Sequence, residues 1–173
     1  MSWSDACTGL GLLLACALGK SAEAADPRFT HLIDTVCIGT AVDQQKMAAM
    51  MPLLQAREMP REQAANMPAL RAWSFADSGS LVIAGYNSRV VDGQNLRDCV
   101  LAFPNGSHTP AMRSIEASYR LSRIFDETQG TQRVTSYVGN LIGVPDTLVT
   151  IQSRSAAAGI LTITLTQGAK LPR

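Results

Sequence analysis

Three short runs between residues 72 and 103 constrain this chain more than any other part of it. They are Ala72-Trp73-Ser74-Phe75, Leu81-Val82-Ile83-Ala84-Gly85-Tyr86 and Cys99-Val100-Leu101-Ala102-Phe103. Asp77-Ser78-Gly79-Ser80 separates the first two, and Asp92-Gly93-Gln94-Asn95 precedes the third. Apolar runs this short, bounded by turn residues, read as strands. In the last run Cys99, Leu101 and Phe103 share one face, and Val100 and Ala102 the other. We read the stretch as the middle of a sheet, with the Cys99 face turned towards the first helix.

Helical spacing appears on both sides of it. Phe29, Leu32, Ile33, Val36 and Cys37 recur at intervals of three and four, after Asp26-Pro27, which suits an N-cap and first turn. His31 lies off that stripe. Thr40 reads as the cap of a second helix with Asp43 in its first turn, and Met47, Met50, Met51 and Leu54 form its apolar face. Met-Pro then recurs every eight residues, at Met51-Pro52, Met59-Pro60 and Met67-Pro68. Proline breaks or kinks a helix, so residues 41 to about 70 read as one kinked helical segment. Thr109-Pro110 opens a third helix running to about Ile124, and Asp126 to Gln132 reads as a loop.

The remainder alternates as strands over Arg133–Val138, Leu148–Gln152 and Ile160–Thr166. The last sets Leu161, Ile163 and Leu165 against Thr162, Thr164 and Thr166, as in an antiparallel strand with one wet face. The expected fold is α+β, an antiparallel sheet of five or six strands. Its N-terminal helices and one mid-chain helix should lie mainly on one face.

The N-terminus bears on compartment. Thr8 to Leu18 is apolar, too short to span a membrane, and is followed by small residues that suit cleavage after Ala24. We read residues 1–24 as a signal peptide and 25–173 as a single domain. Cleavage after Ala25, a buried first helix, or a lipoprotein signal with Cys16 as the lipidated residue are the weaker readings. The segment Met1 to Asp5 has no Lys or Arg, which is unusual for a signal. Removing residues 1–24 takes Cys7 and Cys16 with it and leaves Cys37 and Cys99. Two cysteines in an exported chain most often form one disulfide. Basic residues then fall from 15 to 14 and acidic ones from 14 to 12, a charge of +2. That near-neutral balance gives no electrostatic footprint for nucleic acid, and no later apolar run reaches the roughly 18 residues of a membrane span. With 46% hydrophobic and 17% charged residues the chain is globular, not disordered.

Chemistry-bearing patterns are sparse. Met47, Met50 and Met51, with His31, are thioether and imidazole groups that could hold a soft metal such as Cu(I), but methionine is also an ordinary core filler. Ser107 and His108 sit together in the polar stretch Pro104 to Pro110, where Asp98 could orient the imidazole, although catalytic triads are defined by spatial geometry. Asn105, Ser107 and His108 also form a candidate binding loop. Cys37 and His31 would make a nucleophilic pair only if the thiol were free. No carboxylate spacing singles out an acid–base pair. No cofactor motif is present: no phosphate loop, His-Glu-x-x-His, Cys-x-x-Cys or calcium loop.

The arrangement of Phe29 and Cys37, Trp73, Gly85 and Cys99, then a helix and a glycine-containing β tail, resembles small exported proteobacterial proteins of unknown function. The resemblance spans most of residues 25–173. It implies export and the disulfide, and it transfers no catalytic residue. The reading that follows is a secreted or periplasmic, non-enzymatic binding module, inhibitor- or immunity-like, whose partner is another envelope or secreted protein. The alternative is a small envelope hydrolase or a Met-rich metal-handling protein.

Overall fold

A computed structural model of the chain describes residues 23–62, 71–154 and 159–168. Most of the signal-peptide segment, with Cys7 and Cys16, and the third Met-Pro pair, Met67-Pro68, lie outside these residues. Helix α1 (Pro27–Leu32) continues directly into a π-helical turn, Ile33–Ile38. Helix α2 (Gln44–Met50) ends in a 3-10 turn, Met51–Leu54. Strands β1 (Arg57–Glu58), β2 (Arg71–Asp77), β3 (Ser80–Val91) and β4 (Gln94–Pro104) follow. Helix α3 (His108–Ser118) then leads to β5 (Ser122–Gln129), β6 (Gln132–Leu141), β7 (Val144–Arg154) and β8 (Ile160–Gln167).

All eight strands form one antiparallel sheet in the order β1-β2-β3-β4-β8-β7-β6-β5. Each half of the chain is therefore a helical segment followed by a four-stranded meander. The two meanders meet where β4 pairs with β8. The α+β class and the antiparallel sheet match the sequence pattern; among the described residues the strand count is eight, not five or six. The two strands missed were the edges. β1 lies in the span read as a kinked helix, where Gln55, with φ +53°, ends the helical run after Leu54. β5 lies in the span read as the end of the third helix and the loop after it. That helix stops at Ser118, and Tyr119 is already extended. The Tyr119 hydroxyl donates to Asp34 Oδ1 at 2.7 Å on the α1 side.

Turn chemistry fixes the registers. Ser78-Gly79 and Asp92-Gly93 have positive φ at both positions, the primed turn that suits two-residue hairpins. Gly106 is needed for a close approach: a Cβ there would lie 2.7 Å from Leu161 Cβ and 2.9 Å from Phe103 Cβ.

The core lies between the helices and one face of the sheet. Phe29, Ile33 and Val36 from the first helical segment meet Trp73, Phe75, Val82, Ala84, Leu101 and Phe103, and then Tyr137, Val149, Ile151 and Ile163 of the second meander. Phe29 stands edge-on to Phe103, ring centroids 4.9 Å apart. Asp26 caps α1 by accepting from Arg28 N at 3.0 Å. Asp43, not Thr40, caps α2, accepting from Gln45 N and Lys46 N. Thr40 is buried and donates back to Val36 O at 2.6 Å, which satisfies a carbonyl at the end of the π-helical turn.

Cys37 and Cys99 are bridged, with Cα atoms 5.6 Å apart, well within the range a disulfide spans. The bond fastens the π-helical turn to β4 and is wholly inside the core. It closes 62 residues of chain, worth about 4 kcal/mol in the chain-entropy account. Replacing both cysteines, Cys37→Ala with Cys99→Ala, should lower unfolding free energy by about that amount in urea titration. An unchanged midpoint would show that packing alone holds the turn to the strand.

Candidate functional site

The residue that the sequence placed in an exposed loop is buried. Ser107 is the N-cap of α3 and His108 its first helical residue, so Asn105, with φ +63°, and Ser107 remain exposed while the imidazole turns inward onto the sheet. His108 is 8% exposed. Its Nδ1 lies 3.0 Å from Ser153 Oγ on β7, and its Nε2 2.8 Å from Thr135 Oγ1 on β6.

The direction of this chain of bonds follows from the group at its end. Thr135 donates its one hydroxyl proton to Asp126 Oδ1 at 2.9 Å. It must therefore accept from Nε2–H, which leaves Nδ1 as the acceptor for the Ser153 hydroxyl. Asp126 is held by Arg133, whose Nε and Nη2 donate to its two oxygens at 3.1 Å each. The Arg133 guanidinium, with help from Thr135, holds the Asp126 carboxyl below the usual range despite some desolvation. Arg123 also reaches Asp126 at 3.4 Å and pairs with Glu116 of α3. Glu116 accepts from the buried Tyr137 hydroxyl at 3.0 Å, and burial followed by this bond pushes the phenol upward. The network thus runs Ser153, His108, Thr135, Asp126, Arg133, with Arg123, Glu116 and Tyr137 as its outer arm. It ties α3 to β5, β6 and β7.

Burial, and secondly the positive Arg133, push His108 down to about 4, against the opposing pull of Asp126. The ring is neutral at physiological pH, with both nitrogens engaged. Chemically the group can take a proton from Ser153 at Nδ1, but its low basicity and covered ring favour a structural clamp.

The other sequence candidates are placed as follows. Met47 and Met51 are in the core, Met50 is half-buried and His31 is exposed, so the four are divided between interior and surface. Among the described residues no three His, Cys, Asp or Glu side chains form a metal-binding group. Cys37 is in the disulfide and cannot pair with His31 as a nucleophile. Asp98 does not orient His108. It lies on the opposite sheet face, where it binds Arg89 Nε at 3.0 Å and accepts from Thr166 Oγ1 at 2.7 Å. Sequence reasoning missed Ser153, Thr135 and Asp126 as partners of His108. They are 18 to 45 residues from it and meet only through strand pairing; the one available signal was a threonine and a tyrosine on the same face of β6.

A second feature lies on the outer face, away from the helices. Phe125, Glu127 and Gln129 of β5 and Gln132 and Val134 of β6 line a shallow pocket of about 170 Å³. They share that face by register, since Phe125 pairs with Ser136, Glu127 with Val134 and Gln129 with Gln132. Beside it runs the open edge of β5, the last strand of the sheet, every residue of which is exposed.

The low pKa of His108 has a stability consequence. Between pH 6.5 and about 4 the unfolded chain binds a proton that the native histidine refuses, so stability falls as pH falls through that window and levels below it. From pH 7 to 4.5 the native chain should lose on the order of 2 kcal/mol more than its His108→Asn variant in urea titrations. Equal losses would mean that His108 titrates normally.

No family model, curated protein or solved structure matches the chain.

Proposed function

We propose that this chain is an exported, non-enzymatic binding module that acts on another envelope or secreted protein, in the manner of an inhibitor or immunity protein. The observation that carries this reading is the outer edge of β5, which pairs with no other strand among the described residues. An edge strand presents a row of backbone N–H and C=O groups able to pair with another chain, and sheet proteins blunt such edges by shortening, covering, charging or bulging them. Here the opposite edge, β1, is two residues long, whereas β5 runs for eight. Ile124 and Phe125 on it are 49% and 40% exposed. Strand addition is a common mode of protein recognition and requires no catalytic group. Export is supported by the apolar run at residues 8–18 with the small residues after it, and by the Cys37–Cys99 bridge, which favours an oxidising compartment. The resemblance to small exported proteobacterial proteins points the same way. No helix among the described residues is long and apolar enough to cross a membrane.

A photo-crosslinking residue at Thr128 of the exported chain tests the reading. One discrete adduct with an envelope protein is expected, lost when Phe125→Asp is introduced on the outer face of the same strand. No adduct, or one indifferent to Phe125→Asp, would remove the edge as the binding surface.

One contact supports a second reading, a small hydrolase: the hydrogen bond from Ser153 Oγ to His108 Nδ1. In that reading Ser153 Oγ attacks an ester carbonyl and its proton passes to Nδ1. The imidazolium then gives that proton to the departing alkoxide, and water hydrolyses the acyl-serine by the same path. A fluorophosphonate probe should then label the native chain and not a Ser153→Ala variant. An unlabelled native chain eliminates the hydrolase.

A further inference from the structure

The binding module proposed above leaves its partner's chemistry open, and the β5 edge narrows it. From that reading, we propose that β5 takes an extended segment of another protein as a ninth strand, and that this segment carries a lysine or arginine that seats in the pocket over Phe125 and Val134 with its charge at Glu127.

Three observations support this. The pocket is lined by two apolar side chains, Phe125 and Val134, and three polar ones, Glu127, Gln129 and Gln132. A long side chain with an aliphatic stem and a cationic head matches both parts, as lysine and arginine do when the stem lies along apolar surface. Second, Glu127 lines the pocket and is without an ion pair among the described residues, which leaves its carboxylate available to a cation of the partner. The cation closest to it by register on that face is Arg154, opposite Gln132 on the next strand inward, and it forms no ion pair with Glu127. Third, the edge itself sets the length of pairing. The β5–β6 register shifts between Arg123 and Phe125, a bulge at Ile124. Bulges commonly terminate pairing at edges. That leaves Phe125 to Gln129, five residues, as the straight segment beside the pocket. A residue on an added strand next to Glu127 lies on the same face, and diagonal neighbours are within reach of long side chains.

A second copy of this chain is a poorer occupant. Its β5 would offer Phe125, Glu127 and Gln129 on the pocket face, none of them basic. Its Arg123 lies on the opposite face, engaged by Glu116 and Asp126. An antiparallel self-pairing centred on the pocket would place a second Glu127 against the first.

The test uses fluorescein-labelled heptapeptides of alternating threonine and valine with one central residue varied, titrated into the exported chain by anisotropy. The arginine or lysine peptide should bind at least ten times more tightly than the norleucine peptide, and the glutamate peptide most weakly. Glu127→Gln should reduce the tenfold preference to less than twofold while leaving norleucine binding in place. Backbone N-methylation of the arginine peptide should abolish binding, because it removes the ladder donors. Equal binding of arginine and norleucine peptides would overturn the cationic preference. Unimpaired binding of the N-methylated peptide would overturn strand addition. A dimer in sedimentation that Phe125→Asp dissociates would make the occupant a second copy and overturn the proposal. The Thr128 crosslink distinguishes the levels. A discrete envelope adduct together with no basic preference sinks this inference alone, whereas absence of the adduct sinks the module reading on which it rests.

Discussion

The junction between the first helical segment and β4 is the constraint on which the rest of the structure depends. Cys37 and Cys99 are both wholly buried there, and their bond fixes the π-helical turn against the strand at the centre of the sheet. The widened turn is stabilised locally by Thr40, which returns its hydroxyl to Val36 O and Cys37 O. Phe29 is then set edge-on against Phe103, and Ile33 enters the same core, as consequences of the same placement. β4 in turn aligns both meanders, because β3 pairs along one side of it and β8 along the other.

The second half is fastened differently. Where the first uses a covalent bond, the second uses a polar clamp. His108, at the start of α3, holds β6 through Thr135 and β7 through Ser153, and Asp126 with Arg133 secures the far end on β5. Buried polar groups are costly unless every member has a partner, and each of these has one. Ser114 adds a link between the halves by donating to Asp26 O at 2.7 Å. Helix α3 is thereby tied to the sheet below it and to α1 beside it.

Much of the fold was legible in the sequence, and the reason is burial. Strands that place one face in the core show alternation: β8, with Leu161, Ile163 and Leu165 against three threonines, is the plainest case, and β2, β3 and β4 are nearly as plain. β5 was not legible. Its residues Ser122 to Gln129 are all exposed, so no hydrophobic period marks it, and its strand character comes wholly from pairing with β6. Cys37 could be placed on the inward stripe of the first helix, and Cys99 on the inward face of its strand. The candidate site was half legible. His108 was visible as a titratable group near a helix start, but its burial and its partners depend on the sheet order, which local sequence does not encode.

The order of elements along the chain governs how such a molecule can be assembled. Both halves of the covalent bond lie before residue 100, inside the first meander and its helices. A chain that emerges from its N-terminus can therefore close that bond while the second meander is still unmade, since domains begin folding from their first-synthesised parts. During that interval β4, which in the finished sheet is central, is an open edge awaiting β8. It is apolar on both faces: Val100 and Ala102 are buried on one, Leu101 and Phe103 on the other. A chain with that bond closed and β8 not yet paired would expose apolar surface along the seam where its own C-terminal strand docks.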